Sequence, residues 1–255
     1  MSERKKIVQV RDLKKNYGSF EAVRGISFDV YEGEIFGLLG PNGAGKTTTL
    51  EIMETLREKT SGEVLIEEFS VDRDPMPIKR RIGVQLQEAG YYPNSTLLEV
   101  CALFAGMYNV HHDASALLAK VGLTDKAKTR VDKLSGGQKQ RFSIATTLIH
   151  KPRVVFLDEP TVGLDPQARR NLWELIRSIR DDGTTVIMTT HYLDEAELLC
   201  DRVGIMDEGR IIALDSPERL IHGLLATGFQ RPTRVREATL EDVFIQLTGK
   251  ELRDA

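Results

Sequence analysis

The sequence predicts an α/β fold, and three observations carry the prediction. The apolar run IFGLLG, residues 35–40, leads through PNGAG straight into KTTTLEIMETLRE, a buried strand followed by a glycine loop and a helix. Downstream, RVVFLDEP, TTVIMTTH and RVGIMDEG are short, β-branched and apolar, and they alternate with the helical patterns PQARRNLWELIRSIRDDG and LDEAELLC. Strands buried on both faces read as continuous apolar runs, so this alternation belongs to a parallel sheet covered by helices. With 255 residues, 41% of them hydrophobic, the chain can bury a full core.

Taken in order, residues 7–87 read mostly as sheet: IVQVRDL, SFDVYEG, IFGLLG, GEVLIEE and RRIGVQLQ lie between glycine-rich breaks, with one helix after the glycine loop. This predicts an N-terminal antiparallel β-subdomain ahead of the core sheet. From about residue 95 the pattern turns helical. Thr96 and Glu99 have capping-box spacing ahead of VCALFAGMY, and ASALLAKVGL follows, so residues 88–150 form a helical insert. The α/β core then resumes. Ser216 and Pro217 start a further helix, and Thr239 with Asp242 start another. The expected organisation is one domain over residues 1–230 and a small helical appendage over 231–255.

Composition narrows the classes of function. Thirty-five Lys and Arg against 38 Asp and Glu give a net charge of −3, so no global positive field draws the chain to nucleic acid. The longest apolar-leaning run, LLEVCALFAGMY, contains Glu99 and falls well short of the about 20 residues that span a bilayer. The first ten residues, MSERKKIVQV, lack the apolar segment of an export signal, which places the chain in the cytoplasm. Cys101 and Cys200 lie in apolar helical patterns and read as buried free thiols. His111, His112, His150 and His222 lack metal-ligand spacing, Trp173 reads as helix packing among Leu172, Leu175, Ile176 and Ile179, and the charges at 79–81 read as solvated.

The chemistry concentrates in two glycine loops and one strand end. Gly40, Pro41, Asn42, Gly43, Ala44, Gly45, Lys46 and Thr47 fit G-x-x-x-x-G-K-[ST], with Thr48 continuing the helix. Such a loop wraps phosphate oxygens with backbone N–H groups, its lysine adds charge at the β- and γ-phosphates, and its threonine holds Mg²⁺. Asp158 and Glu159 end the apolar strand VVFLDEP, where one acid suits Mg²⁺ and the next suits a general base that polarises the attacking water. The second loop lies in KLSGGQKQRFSIA, residues 133–145. Phe142, Ala145, Leu148 and Ile149 recur at helical spacing, which puts Gly136, Gly137 and Gln138 at a helix N-terminus that faces an anion.

The order GPNGAGKTT, LSGGQ, LDEPTVGLD and His191, spread over residues 7–215, resembles the ATP-binding cassette of ABC transporters. That resemblance implies a P-loop NTPase core sheet whose helical insert carries the signature LSGGQ, and it implies ATP with Mg²⁺ as the bound species. It implies that Tyr17 stacks on adenine and that His191 contacts the γ-phosphate. Gln87 corresponds to the glutamine that touches Mg²⁺ and the attacking water; Gln85 is the alternative, and Leu86 stands where the family commonly has proline. In the family, two cassettes face head to tail. Ser135 and Gly137 would then bond the γ-phosphate held by a second copy, with Asp165 touching across the interface. A separate transmembrane permease subunit is implied, with the cassette peripheral on the cytoplasmic face of the membrane. The tail ATLEDVFIQLTGKEL resembles cassettes that export drugs, antibiotics, polysaccharides or lipids. An importer subunit is the near alternative, and a soluble ABC ATPase without a transport role is the alternative of a different class. The soluble repair type needs a long coiled coil between its glycine loops, and here only about 85 residues without heptads intervene.

Overall fold

The computed structural model describes residues 4–85, 91 and 94–230. Its elements run β1 (Lys6–Tyr17), β2 (Phe20–Tyr31), β3 (Ile35–Leu39), α1 (Lys46–Met53), β4 (Ser61–Ile66), β5 (Phe69–Ser70), α2 (Pro75–Lys79) and β6 (Ile82–Gln85). Three helices follow, α3 (Leu97–Tyr108), α4 (Ala114–Lys120) and α5 (Gly136–Thr147). The chain continues through β7 (Val154–Asp158), α6 (Pro166–Asp181), β8 (Thr185–Thr190), α7 (Leu193–Leu199), β9 (Arg202–Asp207), β10 (Arg210–Asp215) and α8 (Pro217–Ala226).

Two sheets result. The first is antiparallel, in the order β2-β1-β4-β5. The second runs β10-β9-β3-β8-β7-β6, with every pair parallel except β9 with β10 at the edge. The strand ahead of the glycine loop therefore lies between β8 and β9, and all five of its residues are buried. Successive side chains of a strand point to opposite faces, and β7 shows the consequence. Val154 and Phe156 join the apolar cluster shared with α1 and the antiparallel sheet, whereas Val155 and Leu157 join the cluster under α3, α5 and α6. By the same alternation Asp158 falls on the α1 side.

The expected parallel core, the antiparallel subdomain and the Thr96–Glu99 capping box are all present. Three details differ. Residues 7–87 hold a second helix, α2, five residues long with Pro75 in its first turn; a segment that short shows no helical period. α1 stops at Met53 although the apolar pattern continues, because Thr55 takes a left-handed φ of +61° that no helix tolerates. Arg81 is not a loose surface charge: its Nε lies 2.9 Å from Glu67 Oε2 and its guanidinium 4.3 Å from the Phe69 ring centroid. Both cysteines are buried and free.

One compact unit runs to Leu220 and a second begins at Ile221. The described part of the second comprises the end of α8 and the residues to 230, all exposed. The expected appendage over 231–255, with its cap at Thr239 and Asp242, lies outside the described residues. Among the described residues, no helix is long and apolar enough to cross a membrane.

Candidate active site

The first glycine loop joins β3 to α1 and leaves the helix start open. Gly45 is the N-cap, so no side chain satisfies the first N–H groups of α1, and they remain free for an anion. Only glycine fits there: φ is +97°, and a Cβ would lie 2.5 Å from the Ala22 carbonyl oxygen. Lys46 is buried at the helix start. Its Nζ donates to the Gly40 carbonyl at 2.8 Å and the Pro41 carbonyl at 3.2 Å. These neutral acceptors hold the ammonium at the loop.

The strand end approaches from β7. The Thr47 hydroxyl donates to Asp158 Oδ1 at 3.3 Å, and the Thr189 hydroxyl donates to the same oxygen. Burial pushes the Asp158 carboxyl above the usual carboxylate range, against the pull of both hydroxyls. A cation beside it would favour its ionised form. Thr47 and Asp158 are hard oxygen donors at short range, the donor set that suits Mg²⁺. One residue on, Glu159 has φ +45°, an uncommon backbone state for glutamate, and its N–H donates to Thr189 Oγ1 at 2.9 Å. Its carboxylate then reaches two groups: Oε1 lies 3.5 Å from Lys46 Nζ, and Oε2 lies 3.2 Å from His191 Nδ1.

The predicted residues Lys46, Thr47, Asp158, Glu159 and His191 are thus linked by contacts to one another. Tyr17 lies along the same cleft, with Asn42, Gly43 and Thr48. Two residues of the site escaped the sequence reading. Phe20 also lines the cleft, exposed and directly opposite Tyr17 across the β1–β2 hairpin. Thr189 binds the Asp158 carboxylate and the Glu159 backbone N–H; its signal was the strand TTVIMTT, whose register pairs Asp158 with Thr189. Gln87 lies outside the described residues, and Gln85, the alternative, ends β6 buried at 2% exposure.

The second glycine loop is built differently. Ser135 and Gln138 form a capping box at the start of α5: the Ser135 N–H donates to Gln138 Oε1 at 3.0 Å, and the Gln138 N–H donates to Ser135 Oγ at 3.3 Å. Among the described residues, no acceptor takes the serine O–H. Asp165 likewise caps α6, accepting from the Ala168 N–H at 2.8 Å. Among the described residues, no hydrogen bond or ion pair joins Ser135–Gln138 to the Lys46 cluster.

The two glycines of this loop face different surroundings. A Cβ on Gly137 would lie 2.9 Å from the Ala168 Cβ, whereas one on Gly136 would meet nothing within 4 Å. Gly137→Ala is therefore expected to cost about 1–3 kcal/mol in urea unfolding, the usual cost of overpacking. Gly136→Ala should change stability by no more than about 0.5 kcal/mol, or raise it. Equal losses for the two would contradict this packing.

Comparison with known proteins supplies the remaining finding. The family model described as "ABC transporter" matches residues 23–162. The chain is 41% identical to the linearmycin resistance ATP-binding protein LnrL of Bacillus subtilis (strain 168), over 82% of this chain and 68% of that protein. It is 34% identical to the Nod factor export ATP-binding protein I of Burkholderia orbicola (strain AU 1054), over 97% and 98% respectively. The fold matches the solved dimeric structure of the ATP-binding cassette MJ0796 with ADP and Pi, at TM-score 0.73 and 27% identity over 82% of this chain and 98% of that one. A phosphate loop, a strand-end acid pair and a signature loop in this order, on this fold and with these relatives, make the chain a member of the ABC transporter family: an ATP-binding cassette whose ATP hydrolysis is coupled to transport.

Proposed function

We propose that this chain is the ATP-hydrolysing subunit of an exporter, acting as a pair of identical cassettes on the cytoplasmic side of a separate membrane subunit. The observation that carries the chemical part is the contact of Glu159 with both Lys46 and His191, beside the Thr47–Asp158 pair. In this reading the base of ATP stacks on Tyr17, and Lys46 turns from its own loop carbonyls to the β- and γ-phosphates. Thr47, Asp158 and Gln87 are the residues that would hold Mg²⁺. When bound, the ion supplies positive charge to the phosphate oxygens. Glu159 takes the proton of the water that attacks the γ-phosphorus as the bond to the ADP oxygen breaks, and His191 holds the transferred phosphoryl group in place.

The second loop fits a neighbour's nucleotide. Among the described residues Ser135 keeps a donor free and Gly136 faces open space, and the cleft of Lys46 already has that lysine and the open start of α1. ATP then joins two chains, and its hydrolysis removes the phosphate contacts that hold them, the differential binding a switch requires. Export is supported by the relatives that carry resistance and export names. A net charge of −3 speaks against a nucleic-acid partner.

Deleting the gene tests the reading. Increased sensitivity to at least one antibiotic is expected, reversed by the natural chain and not by Glu159→Gln. Unchanged sensitivity together with loss of uptake of a nutrient would favour an importer instead.

A further inference from the structure

Three residues of α6, one turn apart, meet α7 and the residue just before it. The Arg169 guanidinium lies 4.6 Å from the Tyr192 ring centroid, Trp173 Nε1 donates to Glu195 Oε1 at 2.9 Å, and Arg177 Nη2 donates to the Leu198 carbonyl at 2.8 Å. Positions four apart share one helix face, so these contacts form a continuous seam. Its upper end reaches the active site. His191 directly precedes Tyr192, and the two rings have centroids 4.2 Å apart. His191 in turn meets Glu159 at 3.2 Å.

The imidazole sits on a short connection between β8 and α7, with 34% of its side chain exposed, so its rotamer needs an outside constraint. Tyr192 supplies one, and Arg169 fixes Tyr192. Among the described residues Arg169 Nε is buried without a hydrogen-bond partner, and the ion pair of Nη1 with Asp194 is long, at 3.9 Å. The face of the Tyr192 ring is therefore the close contact that orients the guanidinium. We infer that Arg169 is a positioning residue for ATP hydrolysis: through Tyr192 it holds His191 against Glu159. The inference rests on the proposed roles of His191 and Glu159 at the γ-phosphate. A reacting group held in advance needs no ordering during the reaction, and a small misplacement lowers the rate without weakening substrate binding.

Two measurements on the full chain test it. In turnover assays, Arg169→Ala and Tyr192→Ala each lower kcat by about tenfold with KM for ATP unchanged, and the double variant is no slower than either. Arg169→Lys recovers part of the loss, and Arg169→Ala slows a His191→Ala variant no further. In NMR of chain labelled at its five histidines, Arg169→Ala shifts the signal that His191→Ala removes and leaves the other four in place. An unmoved His191 signal overturns the inference whatever the turnover, and so does a kcat loss that persists on the His191→Ala background. If His191→Ala itself leaves kcat unchanged, the reading of the active site fails first.

Discussion

Replacing Glu159 with glutamine lowers ATP turnover by about 10²–10⁴-fold, the usual worth of a general base. The substitution keeps shape and one acceptor oxygen, so the strand end and its N–H bond to Thr189 persist. What disappears is the carboxylate that faces Lys46 at 3.5 Å and His191 at 3.2 Å. The amide cannot take a proton from water. ATP binding survives, because the loop N–H groups, Lys46 and Thr47 are untouched. Fluorescent-ATP titration should therefore show affinity within a few-fold of the natural chain, while phosphate release falls. Turnover within threefold of the natural chain would remove Glu159 as the base.

The second large effect concerns a carboxyl that the proposed chemistry does not use. Glu54 follows α1 at 3% exposure, and its Oε1 has no hydrogen-bond partner among the described residues. Burial pushes its pKa up to about 8, and the nearby Asp158 and Glu51 add to the rise. The unfolded chain releases this proton near the ordinary value of 4.5, while the folded chain keeps it to about 8. Between those values the unfolded state binds fewer protons, so stability falls as pH rises and levels off above the folded value. The loss from this one group is roughly 3–5 kcal/mol. Glu54→Gln removes it. In urea unfolding of nucleotide-free chain, the variant should gain most of that amount at pH 8.5 and almost nothing at pH 4.5. An equal difference at both pH values would show that the effect lies in packing rather than in the proton.

Much of the fold was legible because its buried parts are locally explicit. β3, and β7 up to its terminal Asp158, are apolar, and the Thr96–Glu99 capping box announces α3. The parts that were not legible depend on register or on short length. Phe20 belongs to the cleft because it pairs with Tyr17 across the two-residue turn Gly18–Ser19, and Thr189 because it pairs with Asp158 across 31 residues of sequence, a pairing that no local motif records. β10 carries an unbroken apolar run from Ile211 to Leu214 yet is half-exposed, because it pairs with β9 alone at the edge of the sheet. Arg81 looked like one of three surface charges until Glu67 and Phe69 came alongside it. The second loop was legible as an anion-facing helix start, but the mutual capping of Ser135 and Gln138 appears only in the folded chain.

In the proposed assembly this second loop holds the phosphate of a neighbour. Light scattering of Glu159→Gln with and without Mg-ATP tests it most directly, because the variant binds ATP and hydrolyses it slowly. The mass is expected to rise from the 28.6 kDa of one chain to about twice that with Mg-ATP alone, and adding Ser135→Arg abolishes the rise. A mass that stays at one chain in saturating Mg-ATP, or a dimer indifferent to Ser135→Arg, would contradict it.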